Sequence, residues 1–174
     1  WGPVNSYKIK DGSGGTEVEV RALTYPDPVN NPDIPYPLVM SETKPINEEG
    51  QPTRTATVSY SYTFYTDDSD PDNNDQVQLK TTSFPSVPAP ENGPSDGSFG
   101  KTIECYHWTF GKVVWRSEFL ANNRRKITAY KYNFAGQLEK KVEDPDLVTW
   151  NQIAPGGTTP APVFNTAIPP EVLI

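Results

Sequence analysis

The sequence predicts an all-β fold. Antiparallel hairpins form a twisted or wound sheet or an open sandwich, with long proline-rich loops and no substantial helix. Three observations predict it. Nineteen prolines and twelve glycines among 174 residues cut the chain into pieces too short for helices of ordinary length, because each proline fixes φ and removes a backbone donor. Tyr, Trp, Phe, Val and Thr fill those pieces, and such side chains suit a pleated surface. Within the pieces, apolar residues recur with a period of two and not at helical spacing.

Residues 1–15 read as an N-terminal extended segment, with Gly12-Ser13-Gly14-Gly15 as a turn or linker. From Thr16 to Leu23, Val18, Val20 and Ala22 alternate with Glu17, Glu19 and Arg21, as in a strand with one face in water. Prolines at 26, 28, 32, 35 and 37 predict an extended loop of polyproline character. A short strand resumes at Leu38 to Lys44, and Asn47-Glu48-Glu49-Gly50 turns it into the longest strand, Thr53 to Tyr65. There Val58, Tyr60, Tyr62 and Phe64 form a stripe opposite Thr57, Ser59, Ser61 and Thr63, with Gln76 to Phe84 as the expected partner strand. Residues 85 to 100 form a second long loop. Strands near 101–108, 112–119, 126–134 and 137–143 then follow as a meander. A repeat domain over 16–150 thus precedes a proline-rich arm over 151–174, whose apolar end Glu171-Val172-Leu173-Ile174 suits addition to a sheet edge.

One hairpin carries more information than the rest. Tyr130, Tyr132 and Phe134 alternate on one arm, Gly136 turns the chain, Leu138, Lys140 and Val142 alternate on the other, and Asp144-Pro145 stops it. This stretch resembles the YD repeat of RHS proteins, whose unit runs Tyr-x-Tyr-Asp-x-x-Gly-x-Leu, then polar residues, Val or Ile, and Asp-Pro. Tyr130, Tyr132, Gly136, Leu138, Val142, Asp144 and Pro145 fall on that pattern, whereas Asn133 stands where the family usually has Asp. A weaker copy runs from Tyr106 to Trp115, with turn glycines Gly111 and Gly136 spaced 25 residues apart. The stretches 37–43 and 55–65 look like degenerate copies.

The resemblance implies a non-catalytic structural segment of a secreted or cell-surface RHS-repeat protein, its hairpin repeats wound into part of a β-sheet shell or solenoid. It implies that Tyr60, Tyr62, Phe64, Tyr130, Tyr132, Gly136 and Leu138 pack neighbouring hairpins together. The partners it implies are other copies or neighbouring repeats, met through sheet edges and the C-terminal arm and extending to a filament if the rotation does not close. RHS proteins that release toxins carry a self-cleaving motif, and Asp144-Pro145-Asp146 lacks the glycine that would continue it, so no autoproteolysis is expected.

Fifteen basic and twenty-two acidic residues give a net charge of -7. Nucleic acid is therefore not an expected partner, because phosphate neutralisation needs clustered Lys and Arg. The one basic run, Asn122-Asn123-Arg124-Arg125-Lys126, reads as a solvated turn. No stretch approaches the ~20 apolar residues of a membrane helix. Cys105 is the sole cysteine, so no internal disulfide forms, and its place in the alternation Ile103-Cys105-His107 predicts a small buried apolar role. The opening Trp1-Gly2-Pro3 is expected of a processed chain or a fragment, with a secreted parent.

Asp67, Asp68, Asp70, Asp72 and Asp75 form the densest set of oxygen ligands, the chemistry of a calcium loop, without the glycine and terminal glutamate of an EF-hand. A solvated hairpin tip is the competing reading. His107 is the only histidine, which excludes a histidine pair. Its separation from Cys105 along one strand is too great for direct proton transfer. Neither catalytic nor cofactor-binding residues are expected. Trp108, Trp115, Tyr130, Tyr132 and Trp150 would offer stacking surfaces to a polysaccharide on an open sheet. The alternative function is thus a β-sandwich carbohydrate-binding or adhesion module with calcium in the acidic loop.

Overall fold

The computed structural model describes residues 4–10, 14–15, 17–26, 38–46, 54–65, 76–85, 100–120, 124–155 and 159–164. The acidic cluster at 67–75, most of both long loops and the chain end at 165–174 lie outside these residues.

Alternating, proline-punctuated sequence gives nine strands among the described residues: β1 (Ser6–Lys10), β2 (Glu17–Thr24), β3 (Ser41–Ile46), β4 (Arg54–Phe64), β5 (Val77–Ser83), β6 (Lys101–Tyr106), β7 (Val113–Phe119), β8 (Arg125–Tyr132) and β9 (Leu138–Glu143). They lie side by side in sequence order in one antiparallel sheet. The described strands form no second sheet facing the first, so the sandwich expectation gives way to a single open sheet. β1 belongs to this sheet, although composition placed residues 1–15 in an extended segment.

A short helix, α1 (Leu147–Ile153), follows β9. Asp146 caps it, its carboxylate accepting the Thr149 N–H at 2.7 Å, which satisfies one of the donors a helix start leaves unpaired. Ala154 ends it in an extended conformation (ψ 136°), as the following Pro155 disfavours helical geometry. α1 crosses the expected boundary between repeat domain and arm at 150/151. One turn of its surface, Trp150 and Ile153, is buried.

Pairing register shows why the core sits where it does. One rung runs across six strands through Thr63, Leu79, Cys105, Trp115, Ala129 and Val142, all on one face. Cys105, Trp115 and Ala129 from this rung, with Val114, Trp150 and Ile153, make the buried core. Leu79, Val142, Ala154 and Phe164 pack at its border. The Trp115 indole N–H reaches the Pro160 carbonyl at 2.8 Å, tying the segment after α1 to the sheet. β1 to β4 hold no comparable core, and Leu23 is their one buried hydrophobic side chain among the described residues.

Candidate functional site

Three of the hairpins share a local device. In β4–β5, Phe64 pairs with Val77; in β6–β7, Tyr106 pairs with Val113; in β8–β9, Tyr132 pairs with Leu138. Each pair sets the last residue of one strand, an aromatic, opposite the first residue of the next, an aliphatic. Beside each pair the register shifts by one, leaving Gln78, Val114 or Glu139 as the extra residue, always the second of its strand. The residue after each aromatic then closes the turn. The Tyr65 N–H donates to the Gln76 carbonyl (3.0 Å), His107 to Lys112 (2.8 Å) and Asn133 to Gln137 (2.9 Å).

Side chains tether each turn to the next. The Tyr65 hydroxyl donates to the Tyr106 carbonyl at 2.6 Å and Gln76 Nε2 to the His107 carbonyl at 2.7 Å. Lys112 Nζ, lying over the Tyr132 ring, donates to the Gly136 carbonyl at 2.7 Å. Tyr62 and Tyr132 reach the Val39 and Val113 carbonyls at 2.9 and 2.8 Å. Burial raises the Tyr62, Tyr65 and Tyr132 hydroxyls above the ordinary tyrosine range, so they stay protonated donors.

Gly111 and Gly136 hold φ of 61° and 74°, where a side chain is strained. A Cβ on Gly136 would stand 3.3 Å from the Phe110 ring, so that turn also needs glycine for the close approach. Asn133 organises the same turn: its Oδ1 accepts from the Ala135 and Gln137 N–H groups at 3.0 and 2.9 Å. An aspartate would make the same two bonds. Asp144 takes φ 44° at the far end of the hairpin and accepts the Ile127 N–H at 2.8 Å, closing the ladder just before Pro145.

A cavity of about 420 Å³ lies beside these last two turns, lined by His107, Trp108, Phe110, Tyr130, Tyr132 and Phe134 with Lys131, Asn133 and the end of α1. His107 stacks on Phe110 with centroids 4.5 Å apart. Its Nδ1 accepts the Thr109 N–H at 3.0 Å, which places the ring proton on Nε2. Burial lowers the imidazole's affinity for a second proton. On the other half of the sheet, Glu42 is buried on β3 and bound by Arg21 (2.8 Å) and Lys44 (2.9 Å). The Lys44 hydrogen bond, helped by Arg21, holds its carboxyl below the usual glutamate range.

The structure places the residues singled out from sequence as follows. Tyr60, Tyr62 and Phe64 are half-buried along one face of β4. Tyr130 and Tyr132 are half-buried on β8, whereas Phe134 has left the strand and stands in the turn, 97% exposed. Leu138 opens β9, the last strand of the sheet, opposite Tyr132, and is 56% exposed. Trp115 and Trp150 offer no stacking surface, because the helix and sheet bury them to 4% and 3% exposure. Trp108 and the two tyrosines remain from that set. Arg125, from the basic run, begins β8 and stacks over the Phe119 ring at 4.2 Å.

Cys105 is fully buried, and desolvation pushes its thiol up to about 12. Among the described residues no group of three or more His, Cys, Asp or Glu is placed to hold a metal, and no helix is long and apolar enough to cross a membrane. Sequence reasoning missed the aromatic–aliphatic pair at each hairpin mouth. The signal was a Tyr or Phe ending one strand and Val or Leu opening the next.

The geometry defines an all-β protein of one open antiparallel sheet, backed at one end by a short helix. No family model, curated protein or solved structure matches the chain.

Proposed function

We propose that the chain is a non-catalytic structural segment, a run of RHS-like hairpin repeats from a secreted or cell-surface protein whose sheet continues by pairing at its edges. The observation that carries this reading is the hairpin device itself, an aromatic–aliphatic pair with one extra residue in the same place three times. A unit that recurs with its tethers to the next unit suits stacking, since each hairpin buries little alone. Among the described residues both outer strands, β1 and β9, have one side unpaired in the sheet. Their lysines, Lys8 and Lys10 on one and Lys140 and Lys141 on the other, guard against indiscriminate pairing. The acceptable neighbour is therefore one matched in register and charge, either another repeat of the same protein or a second copy.

Sedimentation equilibrium across a wide concentration range tests the reading. The expected result is association that strengthens with concentration and persists in a chelator. A chain that stays monomeric throughout would remove edge pairing between copies, and association abolished by chelation would favour a calcium-held module.

A further inference from the structure

We propose that the cavity between the 107–112 and 133–137 turns binds an uncharged, planar aromatic small molecule of indole to naphthyl size. The walls supply the reason. Trp108 and Phe134, 55% and 97% exposed, stand at its rim as large apolar surfaces held in water. Phe110, Tyr132, Val114, Ile153 and Pro155 continue the apolar lining inward. A space of about 420 Å³ is of the size that ligand sites occupy.

The polar groups decide the ligand's chemistry. Asn133 spends its side-chain oxygen on two backbone N–H groups and its amide on Gln137 Oε1 at 3.0 Å. The Tyr132 hydroxyl is committed to the Val113 carbonyl, and Lys131 faces Glu139 at 3.5 Å. No carboxylate among the described residues lines the space. Among the described lining residues the Tyr130 hydroxyl, the Trp108 indole N–H and His107 Nε2–H are uncommitted, and a sugar would bring more hydroxyls than these can answer, each unanswered one costing binding. A flat aromatic ring asks only for stacking surface, and His107 Nε2–H remains for one hydrogen bond to its π face or to a single acceptor. The site does not depend on edge pairing.

Titrating the full chain with indole and with N-phenyl-naphthylamine, read by amide and side-chain NMR shifts, tests this. Saturable shifts confined to residues 107–114, 130–134 and 153–155 are expected. Phe134→Ala and Trp108→Ala, both at exposed positions that leave the core intact, are expected to weaken binding roughly three- to tenfold each. A cello-oligosaccharide is expected to leave the same shifts unmoved. The proposal is overturned by non-saturable or scattered shifts, by unchanged affinity in both variants, or by the oligosaccharide occupying the cavity in place of the aromatic probes.

Discussion

The two halves of the sheet are held by different forces. From β5 onward one rung carries Leu79, Cys105, Trp115, Ala129 and Val142, and α1 lays Trp150 and Ile153 over it. Water is excluded there, and burial of apolar surface supplies the stability. From β1 to β4 the face that continues this rung reads Thr24, Ser41, Thr43, Thr57, Ser59 and Ser61, hydroxyls that pair across strands, as in Thr24–Ser41 at 2.6 Å and Thr43–Thr57 at 3.1 Å. The opposite face holds the Arg21–Glu42–Lys44 cluster and Tyr60. That half is stitched by hydrogen bonds and charge in partial contact with water. Such bonds are individually worth about 1 kcal/mol net, so the first half is the part expected to open first under stress.

This contrast can be broken most forcefully at Trp150. Trp150→Ala is expected to cost about 3–5 kcal/mol in chemical denaturation, and a loss under about 1 kcal/mol would show that the helix layer is not the anchor. Gly136→Ala comes next: strain at positive φ with the Phe110 ring in the way is expected to cost about 1–3 kcal/mol, read as a lower Tm.

Glu42→Gln removes one partner of two cations, with an expected loss of about 1–3 kcal/mol. Hydrogen exchange should quicken in β2 to β4 and stay slow in β6 to β9; equal acceleration in both would erase the distinction. The parent chain carries the matching pH signature. Because Glu42 is held below its ordinary value of 4.5 when folded, the unfolded chain binds its proton first as pH falls. The contribution is complete above that value and is lost as pH descends through the folded pKa, so the first half loosens on acidification before the second.

Tyr62→Phe deletes the bond to the Val39 carbonyl and is expected to cost about 1 kcal/mol. Ser117→Ala should act in the other direction. Ser117 is 1% exposed, and its Oγ has no hydrogen-bond partner among the described residues. Removing that hydroxyl is expected to stabilise the chain by roughly 1 kcal/mol, within the cost of burying an unpaired polar group.

Strands were legible wherever alternation was strong, as at Val58 to Phe64 and Tyr130 to Val142, because period two leaves no other regular structure. β1 was less legible: Ser-Tyr-Lys-Ile-Lys is short and lies next to a glycine-rich stretch that reads as linker. α1 escaped notice because the nine residues between Pro145 and Pro155 look too confined for a helix. The marker was Asp146, a cap residue followed by Trp150 and Ile153 one turn apart. Which tryptophans are exposed could not be read from sequence, since Trp115 is covered by residues 45 positions away at Pro160. The cavity is likewise a product of two turns meeting, and only register brings Phe110 onto Gly136.

The extra residue near the mouth of three hairpins has a geometric consequence. Gln78, Val114 and Glu139 all fall on the second arm of their hairpins, and the β1–β2 pair also shifts its register, leaving Val20 on its second arm. An insertion of this kind bends its strand and sharpens the local right-handed twist. Repeated on the same arm, those increments add instead of cancelling. The sheet is thereby turned steadily one way and kept from lying as a flat plank.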